Sequence, residues 1–391
     1  MESPTEFAGE RIRVARTIFG LTQAQLADAT GVTQAQISSV ENGTRSANTE
    51  LLRAIGNATG TPLSFFYVVP SELPLGSLRF RKLAGASRTS TKRAEALFGE
   101  SYRVVAELCR MGRYPTPDLP RAFDDPSGED IESFATQARE ALKIGPDGPI
   151  PHLIRACERA GIPVAPMVLP GEASEDTPTD VGHFGVSFWA GPSEHALVGY
   201  FPGRRADRDR FTIAHELGHL VLHTHRPRTP MAEQEANRFA SALLIPQVRA
   251  EQALSDKLKL ADYARLKAIW GVSIQALIMR AGQLDLITSS RRESLFKQLS
   301  ARGWRKNEPV TVHPEHPLLL WKLLDAAFGN TPAQALGDKL ALPVVLLRSL
   351  APRPSDTIRL PPDGDGRGTV LSFRRNKKSS FDAGGEVQSQ G

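Results

Sequence analysis

Residues 211–223 read F-T-I-A-H-E-L-G-H-L-V-L-H and contain His215, Glu216 and His219 in H-E-x-x-H order. On a helix, positions four apart lie on one face, so both imidazoles can reach a single ion, for which Zn2+ is suited. Glu216 then stands beside the ion's open position, where a carboxylate can take a proton from bound water. Ile213, Leu217, Leu220 and Val221 keep helical spacing, which predicts an amphipathic helix with its other side in a core. Only three residues of the motif are fixed, and the plain alternative is a surface helix whose two histidines share a face.

Zinc needs a third protein ligand, and a second helix follows at once: E-Q-E-A-N-R-F-A-S-A-L-L-I-P, residues 233–246. Ala236, Phe239, Ala240, Leu243 and Leu244 form its inward stripe. Glu235 lies one turn before Phe239 and two before Leu243, so its carboxylate is expected to point inward and to need a partner, which a metal would supply. Glu233 is the alternative. His223, two turns beyond His215, has rotated off the ligand face and does not complete a three-histidine site. A role orienting a ligand is expected for it. His183 is a candidate oxyanion stabiliser or an ordinary core histidine.

H-E-L-G-H-L-V-L-H followed by E-A-N-R-F-A-S-A-L-L-I-P resembles the ImmA/IrrE family of metallo-endopeptidases. Upstream, I-E-S-F-A-T-Q-A-R-E-A-L, P-H-L-I-R-A-C-E-R-A-G-I-P-V and R-D-R-F-T-I-A match as well, so the resemblance spans roughly residues 130–290. It implies zinc held by His215, His219 and Glu235, with Glu216 as general base. It also implies a narrow protein substrate, typically a transcriptional repressor cut under stress or in mobile-element control.

The N-terminal stretch carries a different chemistry. Short helices are predicted from Arg11 to Phe19 and over Q-A-Q-L-A-D-A-T and Q-A-Q-I-S-S-V-E-N, capped by Thr22 and Thr33 and stopped by Gly20, Gly31 and Gly43. Two short helices around a three-residue turn describe a helix-turn-helix. The string L-T-Q-A-Q-L-A-D-A-T-G-V-T-Q-A-Q-I-S-S-V-E-N-G resembles Cro/CI-type (Xre) DNA-binding domains. That resemblance implies DNA contacts from Gln23, Thr33, Gln34, Ala35, Ser39 and Asn42, with Gln34, Ala35 and Ser39 facing bases. It makes Arg16 and Glu41 a structural ion pair, and Arg45 a backbone contact. Through Pro70, Arg11, Arg13, Arg16, Arg45 and Arg53 are outnumbered by acidic residues, unlike the basic face expected of a DNA binder. A helix-turn-helix used for protein contact is therefore the alternative. Arg79, Arg81, Lys82, Arg88, Lys92 and Arg93 follow against Glu72 alone, a basic strip that can track phosphates or simply be a solvated face.

A length of 391 residues allows two or three domains. No apolar run reaches the roughly 18 residues of a membrane span. The first residues are acidic and without an apolar signal segment. Cys109 and Cys157 are far apart and have no metal spacing, as expected of core thiols in a reducing cytoplasm. The isoelectric point near 9.3 permits polyanion binding without establishing it. Residues 91–111 read as one connecting helix and 114–129 as a Pro- and Asp-rich linker. Helices are predicted over 130–143 and 151–160, a short strand over 162–168, a polar loop over 172–180, and a hairpin of 181–189 with 195–201. His195 to Phe201 is the expected edge strand for an extended substrate. Residues 258–281 have a second helix-turn-helix shape, read as a helical cap. No internal repeat is evident.

These readings combine into a mainly α chain with a small β-sheet. An N-terminal five-helix Cro/CI-like domain occupies 8–70, and a basic strip, connecting helix and linker 71–129. A zincin-like α+β metallopeptidase domain covers 130–290, a helical C-terminal unit 291–352 and a disordered tail 353–391. The expected function is a DNA-binding transcriptional regulator with a zinc endopeptidase. It would bind a double-stranded operator, cleave a repressor-type protein or itself near residues 70–93, and pair as a homodimer on two-fold DNA sites. The rivals are a transcription factor whose peptidase-like domain only senses metal or ligand, and a toxin–antitoxin component.

Overall fold

The computed structural model describes residues 7–71, 73, 79–82, 87–170, 183–203, 205–227 and 229–354, with the side chains of 79–82, 183 and 184 left aside. The polar loop of 172–180, the tail beyond 354 and the side chain of His183 lie outside the described residues.

The first helices, α1 (Ala8–Ile18), α2 (Gln23–Thr30), α3 (Gln34–Glu41) and α4 (Thr49–Thr59), precede a 3-10 turn at Leu63–Tyr67. Their ends are set by local chemistry. Thr22 and Thr33 each close a capping box, with Gln25 and Gln36 returning the bond to the cap backbone. Gly31, at φ 70°, supplies the left-handed residue that turns α2 into α3. Ile12, Leu26, Ile37, Leu52, Ile55, Phe65 and Phe66 form their own core.

Helix α5 (Arg88–Met111) is capped by Ser87. It is more than a connector, because Ala94, Leu97, Phe98, Val104, Val105 and Leu108 are all buried. It leads through 114–127, where Leu119 and Ala122 are buried, to α6 (Gly128–Ala141) and α7 (Leu153–Arg159).

One sheet contains β1 (Arg79–Lys82), β2 (Val164–Pro166), β3 (His183–Trp189) and β4 (Ala196–Tyr200), in the order β1-β3-β4-β2. β3 and β4 are antiparallel, β2 runs parallel to β4, and β1 is antiparallel to β3. The strand at 195–201 was expected at the edge. It lies inside, with β3 on one side and β2 on the other, and β3's outer side is taken by β1. No sequence signal marked β1, since four residues of R-F-R-K read as a charge run.

Neighbouring positions of β2 and β4 separate onto the two faces, as a pleated strand requires. Val164, Val198 and Tyr200 join one core with α8 (Ala206–His223) and α9 (Ala232–Leu244). Ala165, Leu197 and Val186 join the other with α5. The sheet therefore stands between the paired helices α8 and α9 and the helix α5. After α10 (Gln247–Ala253), helices α11 (Leu260–Trp270), α12 (Ile274–Gln283) and α13 (Ser289–Ala301) add Trp270, Ile274, Leu277, Ile278, Leu295 and Leu299 to the α8–α9 core. The helix-turn-helix shape at α11–α12 is thus built into the α8–α9 core.

Helices α14 (Leu319–Phe328), α15 (Ala333–Leu340) and α16 (Val344–Leu350) pack with α5. The pair α15–α16 has the spacing of the pair α2–α3. α15 starts and ends 310 positions after α2, and α16 starts 310 positions after α3. Ala341, at φ 48°, stands where Gly31 does. Leu336, Leu342, Leu347 and Leu350 repeat the apolar places of Leu26, Val32, Ile37 and Val40. Pro332, Ala335, Pro343 and Leu346 stand at the places of Thr22, Gln25, Thr33 and Gln36, so the two pairs share a layout without sharing capping residues.

Candidate metal centre and DNA-facing helix

α8 and α9 lie against each other with little between them at Gly218. A Cβ there would sit 3.0 Å from Phe239 and 3.2 Å from the Ala236 backbone. This close approach brings the polar residues at the start of α9 over the histidines of α8.

His215, His219 and Glu233 converge, each offering a ligand atom within 4.8 Å of the others. Glu233 carboxylate oxygens are 3.4 Å from both His215 Nε2 and His219 Nε2. Glu235 does not join them. Its Oε2 lies 2.9 Å from His223 Nε2 and accepts from Arg226 Nη1 at 2.8 Å. The expectation that an inward carboxylate at 235 needs a partner holds, but the partners are an imidazole and a guanidinium on the chain itself. Glu233, with its side chain 55% exposed, reaches the histidines from the first turn of α9.

The far nitrogens of the histidines are held as well. His215 Nδ1 is 3.1 Å from Asn237 Oδ1, which can only accept, so Nδ1 carries the proton and Nε2 the lone pair. At His219 the same result comes through a relay. His223 Nε2–H donates to Glu235, leaving His223 Nδ1 to accept, at 2.9 Å, from His219 Nδ1–H. Burial pushes His219 down to about 3, so it is neutral near pH 7. Arg226 also pairs with Asp125, extending the relay to the segment before α6.

Two neutral imidazole lone pairs and a carboxylate facing one point are a donor set that suits Zn2+. The residues present fit that ion.

Glu216 is fully buried beside this point. Ser187 Oγ, on β3, donates to its Oε2 at 2.7 Å. Gly185, two residues earlier on β3, is where a Cβ would collide with Glu216 Oε1 and come within 2.7 Å of Thr212 Cγ2. The strand thus makes room for the carboxylate with one residue and orients it with another. Ser187, Gly185, Asn237 and Arg226 were missed by sequence reasoning. Asn237 was legible, since it stands one helical turn after Glu233.

In the N-terminal part, Gln34 and Ala35 are exposed in the first turn of α3 and Thr33 is spent on the cap. Ser39 is half-buried, and its carbonyl accepts from the Thr44 and Arg45 amides. Arg16 pairs with Glu41 through two bonds of 2.6 and 2.9 Å, and Gln23 Nε2 donates to Glu41 Oε2 at 2.8 Å. Asn42 is exposed, its Oδ1 accepting from Arg13 Nη2 at 3.0 Å, and Arg45 is exposed. Glu41 therefore anchors the end of α3 to α1 and α2, with Arg13 an added partner.

Comparison with known proteins places both parts. Residues 157–281 match the family described as IrrE N-terminal-like domain, and residues 12–66 match helix-turn-helix. Two relatives, from Sinorhizobium medicae (strain WSM419) and Rhizobium meliloti (strain 1021), each bear the name uncharacterized HTH-type transcriptional regulator. Each is 37% identical over 59 residues, which is 15% of this chain and 42% of the relative's length. The chain is thus a protein with a helix-turn-helix domain of the Xre type joined to an IrrE N-terminal-like domain.

Proposed function

We propose that this protein is a DNA-binding transcriptional regulator whose second part is a zinc-dependent endopeptidase acting on a repressor-type protein. The observation that carries the peptidase reading is the convergence of His215, His219 and Glu233 beside the buried Glu216. Zinc held there would polarise a peptide carbonyl and acidify a water. Glu216 is the group that accepts the proton and returns it to the leaving amine, with Ser187 fixing one of its oxygens. Gln34, Ala35 and Ser39 on α3 face the operator, and Gln23, Thr33, Asn42 and Arg45 meet its backbone, as the Xre resemblance implies. A homodimer on a two-fold site belongs to the same reading.

One observation favours a regulator that senses metal or ligand without proteolysis. Arg11 on α1 is fully buried, pairs with Glu100 on α5 and donates to Phe65 O at 2.9 Å. Glu100 also holds Arg103 at 3.1 Å, whose guanidinium donates to the Leu340 and Ala341 carbonyls. The DNA-facing part is therefore tied into the molecule, a route by which site occupancy could reach DNA.

The deciding experiment compares wild type with Glu216→Gln, zinc-loaded, for operator release in cells and for fragments of co-expressed repressors. Release and fragments lost together in the variant support the peptidase. Unchanged release by the variant, with zinc still bound, leaves the sensor.

A further inference from the structure

We propose that the outer edge of β3 is the peptide-binding edge of this site and that β1 fills it in cis, so that substrates are extended segments competing with Arg79–Lys82. The proposal rests on the peptidase reading and names its substrate class.

The register carries the argument. Arg79 pairs with Ser187, and Arg81 pairs with Gly185. Those two β3 residues are the ones that touch Glu216, one by hydrogen bond and one by leaving space. A strand paired there places its backbone one strand spacing, about 5 Å, from the backbone that cradles the catalytic carboxylate. An extended peptide can join a sheet only at an edge. β4 has no edge to offer, since β3 and β2 flank it, and β2 lies two strands from β3.

β1 also differs from the rest of the sheet in origin. β2, β3 and β4 all fall within residues 157–281, the matched IrrE-like stretch, whereas β1 comes from between the helix-turn-helix and α5. It is added to a sheet that is otherwise contiguous in sequence. It is four residues long and its register shifts between Arg81 and Lys82, so few ladder bonds hold it. A short tethered strand of this kind acts at a high effective concentration against a free peptide, yet can still be displaced. Its sequence R-F-R-K makes the expected substrate an extended segment rich in Arg and Lys.

The test measures binding, with cleavage disabled. Full-length, zinc-loaded Glu216→Gln protein is titrated with a fluorescent peptide of residues 77–84, S-L-R-F-R-K-L-A. The same titration uses a protein that also carries Phe80→Pro and Arg81→Pro. Consecutive strand residues alternate in facing the ladder, so one of the two prolines removes a bonded amide. A second version replaces residues 79–82 with Gly-Ser-Gly-Ser, in case the prolines prevent folding. Peptide affinity at least about tenfold higher in the altered proteins is expected. Amide exchange at 185–187 should quicken in them and slow again with peptide. Equal affinity in all proteins, or none in any, overturns the proposal. Failure of the peptidase reading is seen separately, as absence of cleavage by protein with Glu216 intact, and leaves the binding result standing.

Discussion

Glu233 and Asn237 stand one turn apart on α9 and hold opposite nitrogens of His215, the carboxylate at Nε2 and the amide oxygen at Nδ1. One residue can share a ligand's ion while the other fixes its tautomer. Glu233→Ala should therefore abolish zinc binding. Glu235→Ala should retain zinc with affinity lowered about 10- to 100-fold, because it frees His223 and so the proton on His219. Competition with a chelator, read by metal content, measures both. Retained zinc in Glu233→Ala beside its complete loss in Glu235→Ala would reverse the assignment.

That contrast shows what the sequence could and could not convey. H-E-x-x-H, the inward stripe of α9 and the caps at Thr22 and Thr33 are local patterns, and the structure keeps them. The choice between Glu233 and Glu235 depends on where Arg226 and His223 end up, which is tertiary information. Ser187 and Gly185 reach Glu216 only because β3 packs on α8, and nothing in their own neighbourhood announces it. β1 is too short for alternation to register.

Gly185→Ala tests the room left for the Glu216 carboxylate. The added methyl would meet Glu216 Oε1 and Thr212, both packed on α8. Overpacking of this kind destabilises by about 1–3 kcal/mol. Peptidase activity should fall far more than that implies while zinc content stays at the wild-type level, since the methyl displaces Glu216 and not the histidines. Ser187→Ala should give a milder loss in rate, again with zinc retained. Wild-type turnover in Gly185→Ala would mean that Glu216 does not act from this position.

The buried pair Arg11–Glu100 gives a stability prediction independent of the metal. Removing one partner leaves an uncompensated buried charge, which costs about 3–5 kcal/mol. Glu100→Gln should lower the denaturation midpoint sharply and loosen α15 and α16 as well, because Arg103 loses its anchor. An Arg11→Met/Glu100→Leu protein should recover much of the loss. Chemical denaturation of the three proteins decides it, and equal midpoints would show the pair to be energetically idle.

Asp209, near the start of α8, accepts the Gly203 amide at 3.1 and 3.2 Å, yet burial outweighs that bond and pushes its carboxyl up to about 6. The folded protein then binds this proton more tightly than the unfolded chain, whose carboxyl titrates near 3.8. The stability gained is complete below pH 3.8 and is lost as the pH rises through 6. Relative to an uncharged side chain the penalty at pH 7 is about 2 kcal/mol, discounted for residual exposure. Asp209→Asn should therefore be the more stable protein at pH 7, and its advantage should vanish near pH 4. An advantage that grows on acidification would contradict the sign.

Arg16 and Gln34 separate structural from reading roles in the helix-turn-helix. Arg16 spends its guanidinium on Glu41 and the Leu21 carbonyl, so none of it is aimed at a base. Arg16→Ala should destabilise the domain and weaken binding to every sequence alike, with Gln23 and the more distant Arg13 left to satisfy Glu41. Gln34 is exposed in the first turn of α3, where a side chain can meet a base edge, and the amide can pair bidentately with adenine. Gln34→Ala should leave the denaturation midpoint unchanged and reduce discrimination between operator and random DNA by about 1–3 kcal/mol. Binding titrations on both DNAs at fixed salt measure this. A uniform loss on both would make Gln34 a phosphate contact, and the reading would then fall to Ala35 and Ser39.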